Sequence, residues 1–209
     1  MKEILRQIGE KLGLQAKEEP VVQRLFGTAL DPLAADNRRA VPWEARAIDI
    51  GAEPLNAGVG MGQLQALWGM DKHMGQLNQR TIGRMKDFLN FSLVPPDQEI
   101  IRQDEHGDYM VVLLTGRVAV ERTQSWGERL RLAEVVPGEM LGEMSLLDSG
   151  VRFSSCVTRS RCELAVLTAD AMNRMLANDS ELVAGLMSLL ARKMSLRLRV
   201  VGARLSDRV

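Results

Sequence analysis

The spacing of apolar residues changes along the chain from a helical period to a period of two, and returns to helical near the end. Ile4, Leu5, Ile8 and Leu12 predict a short amphipathic helix over 2–14. From Glu19 to about Met61 no period holds, because Pro20, Pro32, Pro42 and Pro54 interrupt each candidate element and Gly51, Gly58, Gly60 and Gly62 follow. This stretch reads either as an irregular arm or as a partner-docking segment, with Leu25, Phe26 and Trp43 exposed until bound. Between Gln63 and Leu93 the helical period returns through Leu64, Leu67, Met70, Met74, Leu77, Ile82, Met85 and Leu89. Gly75 and Gly83 are placed to bend or split that helix, and Pro95-Pro96 ends it.

Alternation then predicts short strands over Gln98–Arg102, Tyr109–Thr115, Arg117–Arg122, Glu128–Val135, Ser154–Val157 and Glu163–Leu167. Turn signals separate them, notably Asp104–Asp108, Gly116, Ser125-Trp126-Gly127 and Pro137-Gly138. Strands at this spacing suggest a closed sandwich, barrel or jelly roll. Thr168 is placed to cap a helix reaching Ala177, and Asp179 or Ser180 to cap a longer one from Glu181 toward Leu205. The chain thus divides into an N-terminal extension over 1–62, a helical segment over 63–93 and a mainly β domain with C-terminal helices over 94–209.

Composition narrows the function classes. A chain of 209 residues has room for one domain with a full core plus an extension. Lys+Arg and Asp+Glu balance at 27 each, so no net charge draws it to nucleic acid or a membrane surface. The charged N-terminus lacks the apolar block of a signal peptide, and no run approaches a membrane span. Cys156 and Cys162 show no metal-ligand spacing and are too few for a disulfide framework, which makes a reduced cytoplasmic setting the expectation. His73 and His106 lie in unrelated segments, and without a nucleophile–base pair or a P-loop no enzymatic activity is expected. His106, within a turn, reads as solvated.

Candidate chemistry concentrates in Leu141–Cys156. Gly142 lets backbone approach a ligand closely, and Glu143 is an acceptor-only carboxylate suited to sugar hydroxyls. Arg152, nine residues beyond Glu143, offers a fork of donors for a phosphate, unless it serves as a cross-strand ion pair. The amides of Met144 and Ser145, at the start of a helical turn, would add N–H donors for the same anion. Together these residues describe a pocket for a phosphorylated sugar.

The order of these features resembles the cyclic nucleotide-binding domain family over about Asp87 to Arg204. The carriers are the glycine-turned hairpin Gly107–Val120 with Gly116, Pro137-Gly138-Glu139, and the GE-x₈-R stretch from Gly142 to Arg152. The resemblance implies an antiparallel eight-stranded jelly roll, with helices before it and two after it. It implies that Glu143 accepts the ribose 2′-hydroxyl and Arg152 pairs with the cyclic phosphate, with the Ser145 amide completing the cradle. It also places Lys193 and Arg197, four apart on one helix face, near the base-contacting turn of the last helix. An alternative role for this pair is a solvated basic face shared with Arg192 and Arg199.

Two residues depart from the family pattern. Val151 replaces the usual proline, and Phe153 stands where a small residue, often a hydroxyl donor, follows the arginine. Phe153 cannot donate such a bond; of stacking on the base, crowding the pocket and facing the core, the last is the expected role. The transcription factors of the family continue into a helix-turn-helix domain, whereas this chain ends at Val209, so DNA binding is not expected. The resulting expectation is a stand-alone sensor that needs no cofactor, binds cAMP ahead of cGMP and signals through its helices to a protein effector. A homodimer through the last helix is a further expectation, with Lys193 interrupting its apolar seam. The competing expectation is a ligand-blind interaction scaffold.

Overall fold

Segments with a period of two fold as strands, and their burial shows why some of them alternate and others do not. The computed structural model describes residues 40–71 and 79–206, which lie in one unit, Arg39–Val209. In chain order the elements are α1 (Trp43–Asp49), β1 (Glu53–Pro54), α2 (Ala57–Met70), α3 (Gln79–Gly83), a 3₁₀ turn (Arg84–Phe88) and β2 (Asn90–Val94). β3 (Glu99–Ile101), β4 (Tyr109–Thr115), β5 (Val118–Thr123), β6 (Arg129–Val135), β7 (Met140–Leu141) and α4 (Glu143–Asp148) follow. β8 (Ser155–Thr158), β9 (Cys162–Thr168), α5 (Ala169–Asn178) and α6 (Ser180–Ser206) complete the described residues.

Two antiparallel sheets form the roll, in the orders β1-β2-β9-β4-β7 and β3-β8-β5-β6. This is the jelly roll with flanking helices that the sequence implies; β1 raises the strands among the described residues from the expected eight to nine. β4 is an unbroken apolar run because both of its faces are buried. Met110, Val112 and Leu114 face the helices, while Tyr109, Val111 and Leu113 face the interior of the roll. Ala165 and Leu167 of β9 join the first group, and Leu164 and Val166 the second.

Both C-terminal caps act as the sequence indicates. The Thr168 hydroxyl accepts from the Ala171 amide (3.2 Å), and the Asp179 carboxylate from the Leu182 amide (3.1 Å). α6 is 27 residues long, so it spans about 40 Å. Its first half buries Leu182, Leu186, Leu189 and Leu190 against the roll, whereas Leu196, Leu198 and Val200 are exposed.

The N-terminal half departs from expectation. Residues 40–62 are not an irregular arm: α1, β1 and the start of α2 pack within the same unit as the roll. Asn56 caps α2 through bonds to the amides of Gly58 (2.9 Å) and Val59 (3.2 Å). At Gly60 a Cβ would collide with the Phe91 ring, so glycine is what lets helix and strand approach. Trp43 is buried rather than exposed, packed edge-on against Tyr109 with centroids 5.3 Å apart. The single helix expected over 63–93 is α2, α3 and a 3₁₀ turn, and its last residues are β2, paired from Asn90↔Val166 to Val94↔Cys162. The helix expected over 2–14, the pair Leu25 and Phe26, and His73, Met74, Gly75 and Leu77 lie outside the described residues.

Candidate functional site

Gly142 adopts left-handed backbone (φ 76°) and turns the chain from β7 into α4. That conformation requires glycine, and a Cβ at Gly142 or at Gly107 would also collide with the Arg152 guanidinium. Besides allowing backbone to approach a ligand, these glycines therefore make room for the arginine. The Gly142 carbonyl accepts from Leu146 N–H (3.4 Å) and from Arg152 Nη1 (2.8 Å). Ser145 is buried within the turn and Met144 exposed on it.

Arg152 is only 3% exposed. Its Nη2 donates to the Tyr109 carbonyl (2.6 Å), and its Cζ lies 4.6 Å from the centroid of the Tyr109 ring. Burial pulls its pKa below the ordinary guanidinium value, opposed chiefly by Tyr109. Among the described residues the cation is thus held by two carbonyls and a ring, not by a carboxylate ion pair. Nearby, Asp108 has a buried Oδ1 with no hydrogen-bond partner among the described residues, and burial pushes its carboxyl above the usual range.

Glu143, 6% exposed, is held from α6: Arg197 Nη1 pairs with its Oε1, while Arg197 Nη2 donates to the Met140 carbonyl (3.1 Å). Lys193 does not reach this turn. Its Nζ lies 3.8 Å from Asp71 Oδ2, tying α6 to the end of α2. The two cations therefore share a helix face without sharing a site. Phe153 does not face the core: it is 59% exposed, and Arg122 of β5 lies over its ring at 4.3 Å and donates to its carbonyl. His106 is half-buried, not a freely solvated turn residue; its backbone bridges to Val151 and its Nδ1 lies 3.4 Å from the Ser149 carbonyl.

Cys156, on β8 in the interior of the roll, is a buried free thiol, and burial pushes its pKa up to about 12. It stays protonated in the folded protein, so a maleimide at pH 8 should label it only at the rate of unfolding, a slow phase that denaturant removes. Its contribution to stability is complete below the unfolded thiol's value of about 8.5 and is lost as pH rises through about 12.

Among the described residues no cluster of His, Cys, Asp or Glu could hold a metal ion, and no helix is long and apolar enough to cross a membrane. Tyr109, Gly107 and Glu105 belong to this site without being singled out for it by the sequence; the turn Asp104–Asp108 and the glycine-turned hairpin are the local signals near them.

Comparison with known proteins places these features. The profile of the cyclic nucleotide-binding domain family matches residues 92–179. A cyclic AMP receptor protein of Thermus thermophilus is 33% identical over 102 residues, 49% of this chain and 47% of that protein. A CRP-like cAMP-activated global transcriptional regulator of Mycobacterium tuberculosis is 29% identical over 100 residues, 48% of this chain and 45% of its own. The matches thus span about half the length of these curated relatives. A solved cyclic nucleotide-binding domain from Methylobacillus flagellatus aligns with a TM-score of 0.68 at 24% identity, covering 76% of this chain and 89% of that one. Residues 92–179, within the roll that carries Glu143 and Arg152, thus match the cyclic nucleotide-binding domain family, and the roll shares the fold of a solved domain of that kind.

Proposed function

We propose that the chain is a regulatory sensor rather than an enzyme, binding cAMP ahead of cGMP and relaying occupancy to a protein effector through α6. The observation that carries this reading is the pairing of buried Glu143 with Arg197, which joins the expected ribose acceptor to the last helix. A nucleotide whose 2′-hydroxyl donates to Glu143 competes with Arg197 for the same carboxylate. Its phosphate accepts from the Arg152 guanidinium, which the carbonyls of Gly142 and Tyr109 hold in place. Binding then changes how α6 is held, and the switch is no larger than the difference in affinity between the two states. The exposed outer half of α6, with Leu196, Leu198 and Val200, is the surface offered to the effector or to a second copy in a homodimer.

Titration calorimetry with cAMP and cGMP tests the reading: saturable binding is expected, tighter for cAMP. Absence of heat with either at millimolar concentration overturns it. That result would favour the ligand-blind scaffold, whose support is that Arg152 already bonds two carbonyls. A second measurement addresses the relay. Bound nucleotide should alter amide exchange over Lys193–Val200 in the wild type, and Arg197→Ala should abolish that response. An unchanged response would remove Arg197 from the path.

A further inference from the structure

Helix α1 lies outside the stretch matched by the family, yet two separate paths connect it to Arg152. Arg46, midway along α1, is 2% exposed and pairs with Glu105 and, at 3.0 Å, with Asp49. A buried ion pair is a poor choice for merely attaching a helix, because apolar residues of similar volume often do it as well. What it supplies here is direction. The Glu105 carbonyl accepts from the Arg152 amide (2.8 Å), and the Asp104 amide donates to the Arg152 carbonyl (2.9 Å). The backbone of Arg152 is therefore clasped, at its N–H and at its C=O, by the loop whose Glu105 side chain Arg46 holds. Val41, just before α1, bonds the same loop through the His106 carbonyl (3.0 Å). The second path is aromatic: Trp43 packs edge-on against Tyr109, whose ring and carbonyl both hold the Arg152 guanidinium.

We propose that α1 is a working part of the nucleotide site, with Arg46 a positioning residue that fixes Arg152 through Glu105. This rests on Arg152 being the phosphate ligand, as read above. Coupling of this kind is reciprocal: nucleotide on Arg152 strengthens the seating of α1, and loosening α1 weakens the nucleotide.

The test has one arm that needs no ligand. In Arg46→Met, amide exchange at Arg152 and Asp104 should accelerate at least several-fold while that of Leu164 in β9 stays unchanged. Equal exchange at all three, variant against wild type, overturns the proposal whether or not any nucleotide binds. Glu105→Gln, which keeps a hydrogen-bonding side chain at a less buried position, should show the same pattern more weakly and covers the case in which Arg46→Met does not fold. In the second arm, Arg46→Met should weaken cAMP binding by roughly 3- to 30-fold, within the range for coupled neighbours. In an Arg152→Ala background the same change should cost less than about twofold, because its route to the phosphate is gone. Additive losses would show that Arg46 acts elsewhere. If the wild type binds no nucleotide, the functional reading fails while the exchange arm still decides the positioning role.

Discussion

Arg152→Ala is expected to weaken cyclic nucleotide binding by about 10- to 150-fold, the equivalent of one charge-assisted contact of about 1.5–3 kcal/mol. The contact is strong because the guanidinium is held in place before the ligand arrives. Its bonds to the Gly142 and Tyr109 carbonyls and its stacking on the Tyr109 ring fix the fork's plane. Arg152→Lys should recover only part of the loss, since an ammonium keeps the charge but not the fork or the stacking. Calorimetry reads both variants, and melting temperature separates lost binding from a damaged fold. Truncation also leaves two carbonyls without this donor, so a moderate loss of stability should accompany Arg152→Ala. A loss of affinity well under tenfold would place the arginine outside the site.

The parts of this site that are close in sequence were legible, and those assembled over long distances were not. Gly142, Glu143 and Arg152 occupy one turn and the segment after it, so residue type and spacing carried the signal. Arg46 and Glu105 lie 59 residues apart, and nothing local to either marks the pair. The strands were legible where one face alternates or an apolar run is bounded by turns, as in β4. β2 was read as helix because its apolar residues continue the spacing of Met85 and Leu89; pairing with β9 overrides that pattern. α2 was missed at its start because glycine is a poor helix former, whereas here Gly60 is needed for contact with Phe91. Phe153 was placed in the core by its apolar character, but β5 supplies Arg122, which covers one face of the ring at the surface.

Trp68→Ala is expected to destabilise the whole Arg39–Val209 unit by about 3–5 kcal/mol, the usual cost of emptying a buried aromatic site. Trp68 is fully buried, in one core cluster with Leu64 of α2, Met110 and Val112 of β4, and Leu186 and Leu190 of α6. Its indole also donates to the Gly138 carbonyl (3.2 Å), and the Gly138 amide bonds the Leu113 carbonyl of β4 (2.7 Å). The substitution therefore removes volume and a hydrogen bond at the turn leading into β7 and Gly142. Because α2, the roll and α6 share this cluster, a single cooperative transition should shift as a unit, followed by circular dichroism and by amide exchange. A variant in which α2 exchanges freely while the roll melts at the wild-type temperature would show that α2 is only an appendage. If the transition does shift as one, α6 is anchored at both ends of its path: Leu186 and Leu190 on this cluster, Arg197 on Glu143. A ligand that frees Arg197 then loosens only the outer half of the helix, and the inner half remains the fixed point about which the signal is read.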